Sequence, residues 1–244
     1  MNFYGNSSFV HYLMKVRSLV PRPLRRRVLL RSRTFLRLLN FETVMDSAGL
    51  ADLRKLLDMT VGVPGDVVEC GCARCGSSVI MANYLRSRGV RKTIYACDTF
   101  DGFSSEELER EKQLGRADVS QSAFASPGQY EYVKEKLSNL GLDEQVVPIR
   151  GLFQDTFPRW LETWEKLSFV LVDCDLEESM LFCARSLWPL LTPGGVMAFD
   201  DYTSEQFKGS RIAIDRFVAE APVGLASHKL MKRIYFLRKE ASDG

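Results

Sequence analysis

Residues 67–78 read VVECGCARCGSS. Val67 and Val68 begin a short apolar strand that runs into Glu69 and Cys70. Gly71 then allows a tight turn and close backbone approach, and Gly76 and Ser77 open a helix whose first N–H groups are free to face a ligand. A strand that passes through a glycine turn into a helix is the repeating unit of doubly wound α/β sheets. The spacing predicts that helix over 77–88. Further apolar, strand-like runs fall at 93–98, 145–149, 169–173 and 196–200, with helices predicted over 130–139 and 177–191. The tetrapeptide Thr192-Pro193-Gly194-Gly195 reads as a stop-and-turn signal. Upstream, Leu50, Leu53, Leu56 and Leu57 give residues 42–60 helical spacing. Downstream, a helix near 210–220 and a late strand at 233–237 suit an antiparallel pair at one end of the sheet. Short apolar strands alternating with helices imply right-handed crossovers and a mostly parallel, doubly wound, Rossmann-like α/β sheet.

In such sheets ligands sit beyond the carboxyl ends of the strands. Here the strands end on Glu69, Asp98, Asp173 and the pair Asp200-Asp201. The first loop is not a dinucleotide loop, because Ala73 and Cys75 stand where G-x-G-x-x-G requires glycine. An acid two residues before the first glycine is instead typical of S-adenosylmethionine sites. Asp98 opens the turn Thr99-Phe100-Asp101-Gly102, and its two acceptor oxygens suit the vicinal diol of a ribose, which fits adenosylmethionine or NAD. The tips at Asp173 and Asp200-Asp201 belong to neighbouring strands, so their carboxylates converge. A like-charge cluster of this kind is unfavourable without a cation or proton among its members, and hard oxygen ligands suit Mg²⁺. Asp175 is expected to cap the helix that follows it, in the box Asp175-Leu176-Glu177-Glu178.

Taken in order, PGDVVECGCARCGSS, YACDTFDGF, GLFQDTFP, LVDCDLEES and LTPGGVMAFDDY resemble the macrocin O-methyltransferase family of class I methyltransferases, over roughly residues 41–240. The resemblance implies a seven-stranded Rossmann-like sheet and S-adenosylmethionine as methyl donor. It also implies a requirement for Mg²⁺ and a small-molecule or glycan acceptor, typically a sugar hydroxyl. Carried over residue by residue, it places Glu69, Gly71, Gly76, Ser77, Asp98, Thr99, Phe100 and the 151–153 turn, with Gly151 and Phe153, at the cofactor. Asp173, Asp200 and Asp201 match the metal ligands, an arrangement also similar to catechol O-methyltransferase, and Asp173 is assigned as proton acceptor. The chain departs from the family in two places. Cys75-Gly76 stands where the family usually has Gly-Gly, and neither His11 nor His228 lies in a matching segment, so a histidine base is not expected.

The net charge of +2 conceals a division. Residues 1–41 hold nine basic groups and no acid, leaving 24 basic residues against all 31 acids, a net −7, in the remainder. The organisation expected is a basic amphipathic arm over 1–40 and a methyltransferase domain over 41–244. An arm of this kind either docks its leucines on the main body or meets an anionic membrane surface through residues 15–37. Nucleic acid is disfavoured, because aromatic residues are not interleaved with the basic ones. The sequence is compatible with a homo-oligomer without specifying one.

With 45% hydrophobic and 26% charged residues, the composition is that of a soluble globular protein. No apolar run approaches the roughly 20 residues of a membrane span, and the N-terminus lacks the pattern of a signal peptide. Six cysteines are too few for a disulfide scaffold, so a reducing cytosol is the expected compartment. The C-x-C-x-x-C spacing of Cys70, Cys72 and Cys75 coincides with the cofactor loop, which argues against a thiolate metal site. Cys72 and Cys75, close to a helix N-terminus, are expected to have lowered pKa values and to react first with thiol reagents. The polar insertion 113–128 reads equally as a substrate lid or a surface loop. Trp160, Trp164 and Trp188 are read as packing residues within helices. Two rival readings are an NAD-using Rossmann enzyme, disfavoured by the missing glycine triplet, and a non-catalytic module anchored by its arm, disfavoured by the retained acidic strand ends.

Overall fold

The computed structural model describes residues 42–241, so the basic arm lies outside the described residues. Seven strands form one sheet: β1 (Asp66–Cys70), β2 (Ile94–Asp98), β3 (Val146–Arg150), β4 (Leu167–Val172), β5 (Leu191–Phe199), β6 (Leu225–Leu230) and β7 (Tyr235–Lys239). Their order across the sheet is β3-β2-β1-β4-β5-β7-β6. The first five are parallel, and β7 runs antiparallel between β5 and β6. Chain order reverses on either side of β1, so the crevice between the tips of β1 and β4 is the switch point where such sheets bind ligands.

Strand alternation sorts the side chains onto two faces. Val67, Ile94, Ala96, Phe169 and Leu171 pack beneath α1 (Ser47–Thr60), α2 (Gly76–Ser87) and α4 (Gln129–Leu140). Val68, Cys70, Cys97, Val170 and Val172 pack beneath α5 (Phe153–Leu161), α6 (Glu177–Leu187) and α7 (Lys208–Ala219). A short helix, α3 (Ser105–Gln113), lies between β2 and α4 in the chain. Because β1, β2, β4 and β5 are covered on both sides, they read as continuous apolar runs. Among the described residues no helix is long and apolar enough to cross a membrane.

Register brings the site together. Cys70 pairs with Cys97 and with Val172, and Val172 pairs with Phe199. The residues just past these pairs, Gly71, Asp98, Asp173 and Asp200, therefore emerge along one edge. Backbone bonds continue past the strand ends and hold that edge: Gly71 N to Cys97 O at 2.8 Å, Asp173 N to Cys70 O at 2.8 Å and Asp200 N to Val172 O at 3.1 Å.

Several expectations need correction. The helix expected over 177–191 ends at Leu187, followed by a single 3₁₀ turn, Trp188–Leu190, whose Pro189 has no N–H to continue an α-helix. The 192–195 signal falls inside β5 rather than before it: Leu167 pairs with Leu191 but Phe169 pairs with Val196, so the chain loops out there around Gly194 at φ 81°. The late strand begins at Tyr235, and Arg233 belongs to the turn before it. Trp160 lies in α5 and Trp188 begins the 3₁₀ turn, whereas Trp164 follows α5 as a buried loop residue. The packing role holds for all three. Trp160 and Trp164 stack at 6.0 Å, and the Trp188 indole donates to Val223 O at 2.9 Å.

Candidate active site

A cavity of about 720 Å³ opens at the strand tips. Gly71, Asp98, Thr99, Phe153, Asp173, Asp200 and Asp201 all line it. Gly71 has φ 86°, and a Cβ there would lie 1.9 Å from the carbonyl oxygen of Asp173, so only glycine lets the first loop pass the β4 tip. Asp98 accepts from Ala73 N at 2.8 Å through one oxygen and from Phe100 N at 2.7 Å through the other. The Thr99 hydroxyl also lies 3.5 Å from Oδ1, Oδ2 keeps a lone pair for a hydroxyl in the cavity, and burial raises the Asp98 pKa.

The other expected cofactor residues stand behind this wall. The buried Glu69 carboxylate accepts from the Ser77 and Ser78 hydroxyls and so ties β1 to the first turn of α2. At Gly76, a Cβ would meet Thr43 N at 2.6 Å, which leaves room for the 42–46 segment whose Val44, Met45 and Asp46 line the cavity. Phe100 is wholly buried against Tyr130, with ring centroids 5.2 Å apart. Gly151 N donates to Asp98 O at 3.0 Å, holding the 151–153 turn beside the β2 tip.

Burial pushes Glu69 up to about 7 from an ordinary value of 4.5, with the two serine hydroxyls acting in the opposite direction. Between those values the folded chain holds a proton that the unfolded chain has released. This contribution to stability is therefore complete below the window and is lost as pH rises through it, by about 3 kcal/mol. Thermal melts of the ligand-free protein from pH 4.5 to 7.5 should show this slope. Glu69→Gln, which stays neutral, should flatten part of it; identical slopes would contradict the assignment.

The expectation of a lowered pKa is reversed for Cys72. All six cysteines are buried. Cys75 begins α2 with φ 55°, a left-handed conformation that favours the glycine usual in the family, and its Sγ lies 3.5 Å from Cys72 Sγ. Burial raises the Cys72 pKa well above its ordinary value, overriding the helix N-terminus.

The acidic group lies at the tips of β4 and β5. One carboxylate oxygen from each of Asp173, Asp175 and Asp201 lies within 4.8 Å of the others. Burial first, then the neighbouring carboxylates, hold Asp173 and Asp175 well above the usual range. Among the described residues neither has an ion-pair partner. Three hard oxygens without enough positive charge form the donor set that Mg²⁺ takes. Asp200 is placed differently. It is 2% exposed, and both oxygens accept from Arg233, Nε at 2.8 Å and Nη2 at 3.0 Å.

Sequence reasoning missed two contributors. Arg233 gave no signal beyond a basic pair before the last strand. Helix α3 is too polar to show an apolar face, yet its Glu107 is buried and accepts from Ser179 N at 2.7 Å and Ser179 Oγ at 2.6 Å. It thereby caps α6, whose N-cap residue Leu176 makes no side-chain cap. Asp175, expected as that cap, is released from it and faces Asp173 and Asp201.

The far wall comes from the 113–128 insertion, through Val119, Ala123 and Phe124, with Phe103 and Phe207 beside them. Phe124 packs 6.0 Å from Phe103 and 6.2 Å from Phe207. Phe103 N bonds Gln121 O at 2.9 Å, and a Cβ on Gly102 would meet that same oxygen at 2.1 Å. These contacts hold the insertion against Gly102 and Phe103 as one wall of the cavity. His228 lies on β6 with Nδ1 2.5 Å from Tyr235 Oη and does not line the cavity; His11 lies outside the described residues.

The model of the family described as Macrocin-O-methyltransferase (TylF) matches residues 41–234. The chain belongs to the macrocin O-methyltransferase family. It is similar to the 8-demethyl-8-(2,3-dimethoxy-alpha-L-rhamnosyl)-tetracenomycin-C 4'-O-methyltransferase of Streptomyces olivaceus, 35% identical over 58% of this chain and 54% of that one. A second relative, the demethyldecarbamoylnovobiocin O-methyltransferase of Streptomyces niveus, is 29% identical over 67% of this chain and 63% of that one. The chain thus spans less than two thirds of these macrocin-family relatives. Among solved structures, the O-methyltransferase NovP superposes with a TM-score of 0.66 at 25% identity, covering 82% of each chain. That likeness agrees with the seven-stranded methyltransferase fold.

Proposed function

We propose that the protein is an S-adenosylmethionine- and Mg²⁺-dependent O-methyltransferase acting on a hydroxyl of a sugar, glycan or polyol-type natural product. One observation carries the reading: a single cavity of about 720 Å³ is lined both by Asp98, a carboxylate of the kind that suits a ribose diol, and by a carboxylate group short of positive charge at Asp173. Family membership, and a relative named for a rhamnosyl-bearing molecule, favour a sugar hydroxyl as acceptor.

Bound S-adenosylmethionine would supply an electrophilic methyl group. Asp98 would accept from its ribose hydroxyls, while Gly71 and Ala73 keep the first loop close along the ligand. A divalent cation held by Asp173 and Asp201 would supply Lewis acidity that lowers the pKa of the acceptor hydroxyl. Asp173 lines the cavity and would take up the hydroxyl proton on its carboxylate. The Phe103–Phe124–Phe207 wall would exclude water and align the acceptor, since much of the rate gain in methyl transfer comes from orientation. The test is incubation with methyl-labelled S-adenosylmethionine, Mg²⁺ and a panel of glycosides, with products resolved by mass. Label is expected on an oxygen of at least one glycoside.

A further inference from the structure

Resting on that reading, we infer that Arg233 is a positioning residue that selects the metal ligands of this chain, withdrawing Asp200 and leaving Asp173, Asp175 and Asp201. The guanidinium holds Asp200 as a fork, with Nε 2.8 Å from one oxygen and Nη2 3.0 Å from the other. Nη2 also reaches Asp201 at 3.4 Å, and Nη1 lies 3.6 Å from Asp46, the N-cap of α1. The backbone is anchored as well, since the N–H groups of Arg233 and Ile234 both donate to the buried Asp52, at 2.8 and 3.4 Å.

A bidentate guanidinium–carboxylate pair takes one lone pair on each Asp200 oxygen and offsets the charge that would draw a cation to it. Recruiting Asp200 would mean parting a nearly buried ion pair and bringing a second cation against the guanidinium, and both steps are costly. Asp175 carries no such restraint. It was expected to cap α6, but Glu107 does so, and Ser210 Oγ donates to Asp175 O at 2.8 Å, holding the residue in a left-handed conformation at φ 66°. Its carboxylate oxygen then lies within 4.8 Å of those from Asp173 and Asp201.

Manganese(II) titrations of the full chain, followed by electron paramagnetic resonance of free ion, test the assignment without any acceptor or turnover. Relative to wild type, Asp175→Asn should weaken Mn²⁺ binding at least roughly tenfold, as Asp173→Asn does, while Asp200→Asn stays within about threefold. Adding Arg233→Met to Asp175→Asn should restore binding, because the freed Asp200 can take the vacated place; a residue with a merely structural role would give no such rescue. Circular dichroism melts establish that each variant folds, and Asp175→Ser serves if Asp175→Asn does not. Loss on Asp200→Asn with retention on Asp175→Asn would overturn the inference while leaving the metal reading intact. Failure of the folded wild-type protein to bind Mn²⁺ would overturn both.

Discussion

Gly71→Ala is expected to destabilise the protein severely and to abolish S-adenosylmethionine binding. The new methyl would lie 1.9 Å from Asp173 O, 2.6 Å from its carbonyl carbon and 3.0 Å from Cys174 Cα. All three are backbone atoms, so no side chain can swing aside. The glycine also has φ 86°, a conformation costly for alanine. Relief requires separating the β1 and β4 tips, which would break the Cys70–Asp173 backbone bond at 2.8 Å. Overpacking and backbone strain together put the loss at about 3–5 kcal/mol. For a chain of this size that lowers the melting temperature by about 10 °C or more. Calorimetry of the variant, followed by titration with S-adenosylmethionine, checks both statements. A melting point within error of wild type would show that the two loops are not in this contact.

Asp173→Asn is expected to remove turnover while sparing the cofactor. The substitution keeps the shape of the side chain but removes the proposed base and one anionic metal ligand. Loss of general-base catalysis alone costs roughly 10²–10⁴-fold in rate, so methyl transfer should fall at least roughly 1000-fold once the metal contribution is added. The nucleoside contacts proposed for Asp98 lie on a different strand, and the cofactor Kd should change only a few-fold. Misfolding would not give this pattern. Removing one of several mutually repelling, half-buried carboxylates should leave the ligand-free variant at least as stable as wild type. Single-turnover kinetics and calorimetric titration separate the two effects, and an active Asp173→Asn enzyme would refute the assigned role.

What the sequence disclosed was governed by periodicity and by chain geometry. Strands β1, β2, β4 and β5 are largely buried on both faces, so their apolar runs stand out, and the acids that end them mark the functional edge. Strand β6 gave no such signal because it is an edge strand, LASHKL, with its central residues exposed. Helix α3 was hidden for a related reason: its buried positions are partly Glu107 and Glu111, which serve other helices instead of an apolar core. Asp175 shows where local pattern misleads. Asp-Leu-Glu-Glu reads as a cap from its own segment, and only the long-range contact from Glu107 reveals that the cap is supplied elsewhere. The same holds for Arg233, 33 residues from Asp200, whose partner is fixed by the antiparallel return of β7 beside β5. Cys72 shows burial prevailing over position, since a nearby helix N-terminus does not activate a thiol that the fold has sealed from water.

Methyl transfer itself is the most direct test of the account. The wild-type protein, given methyl-labelled S-adenosylmethionine and the glycoside panel, is assayed with Mg²⁺ and again after exhaustive chelation. The account requires label on a sugar or polyol oxygen in the first case and its loss in the second, with activity returning when Mg²⁺ is restored. Transfer that persists undiminished in chelator, or label found on nitrogen or carbon instead of oxygen, would contradict it.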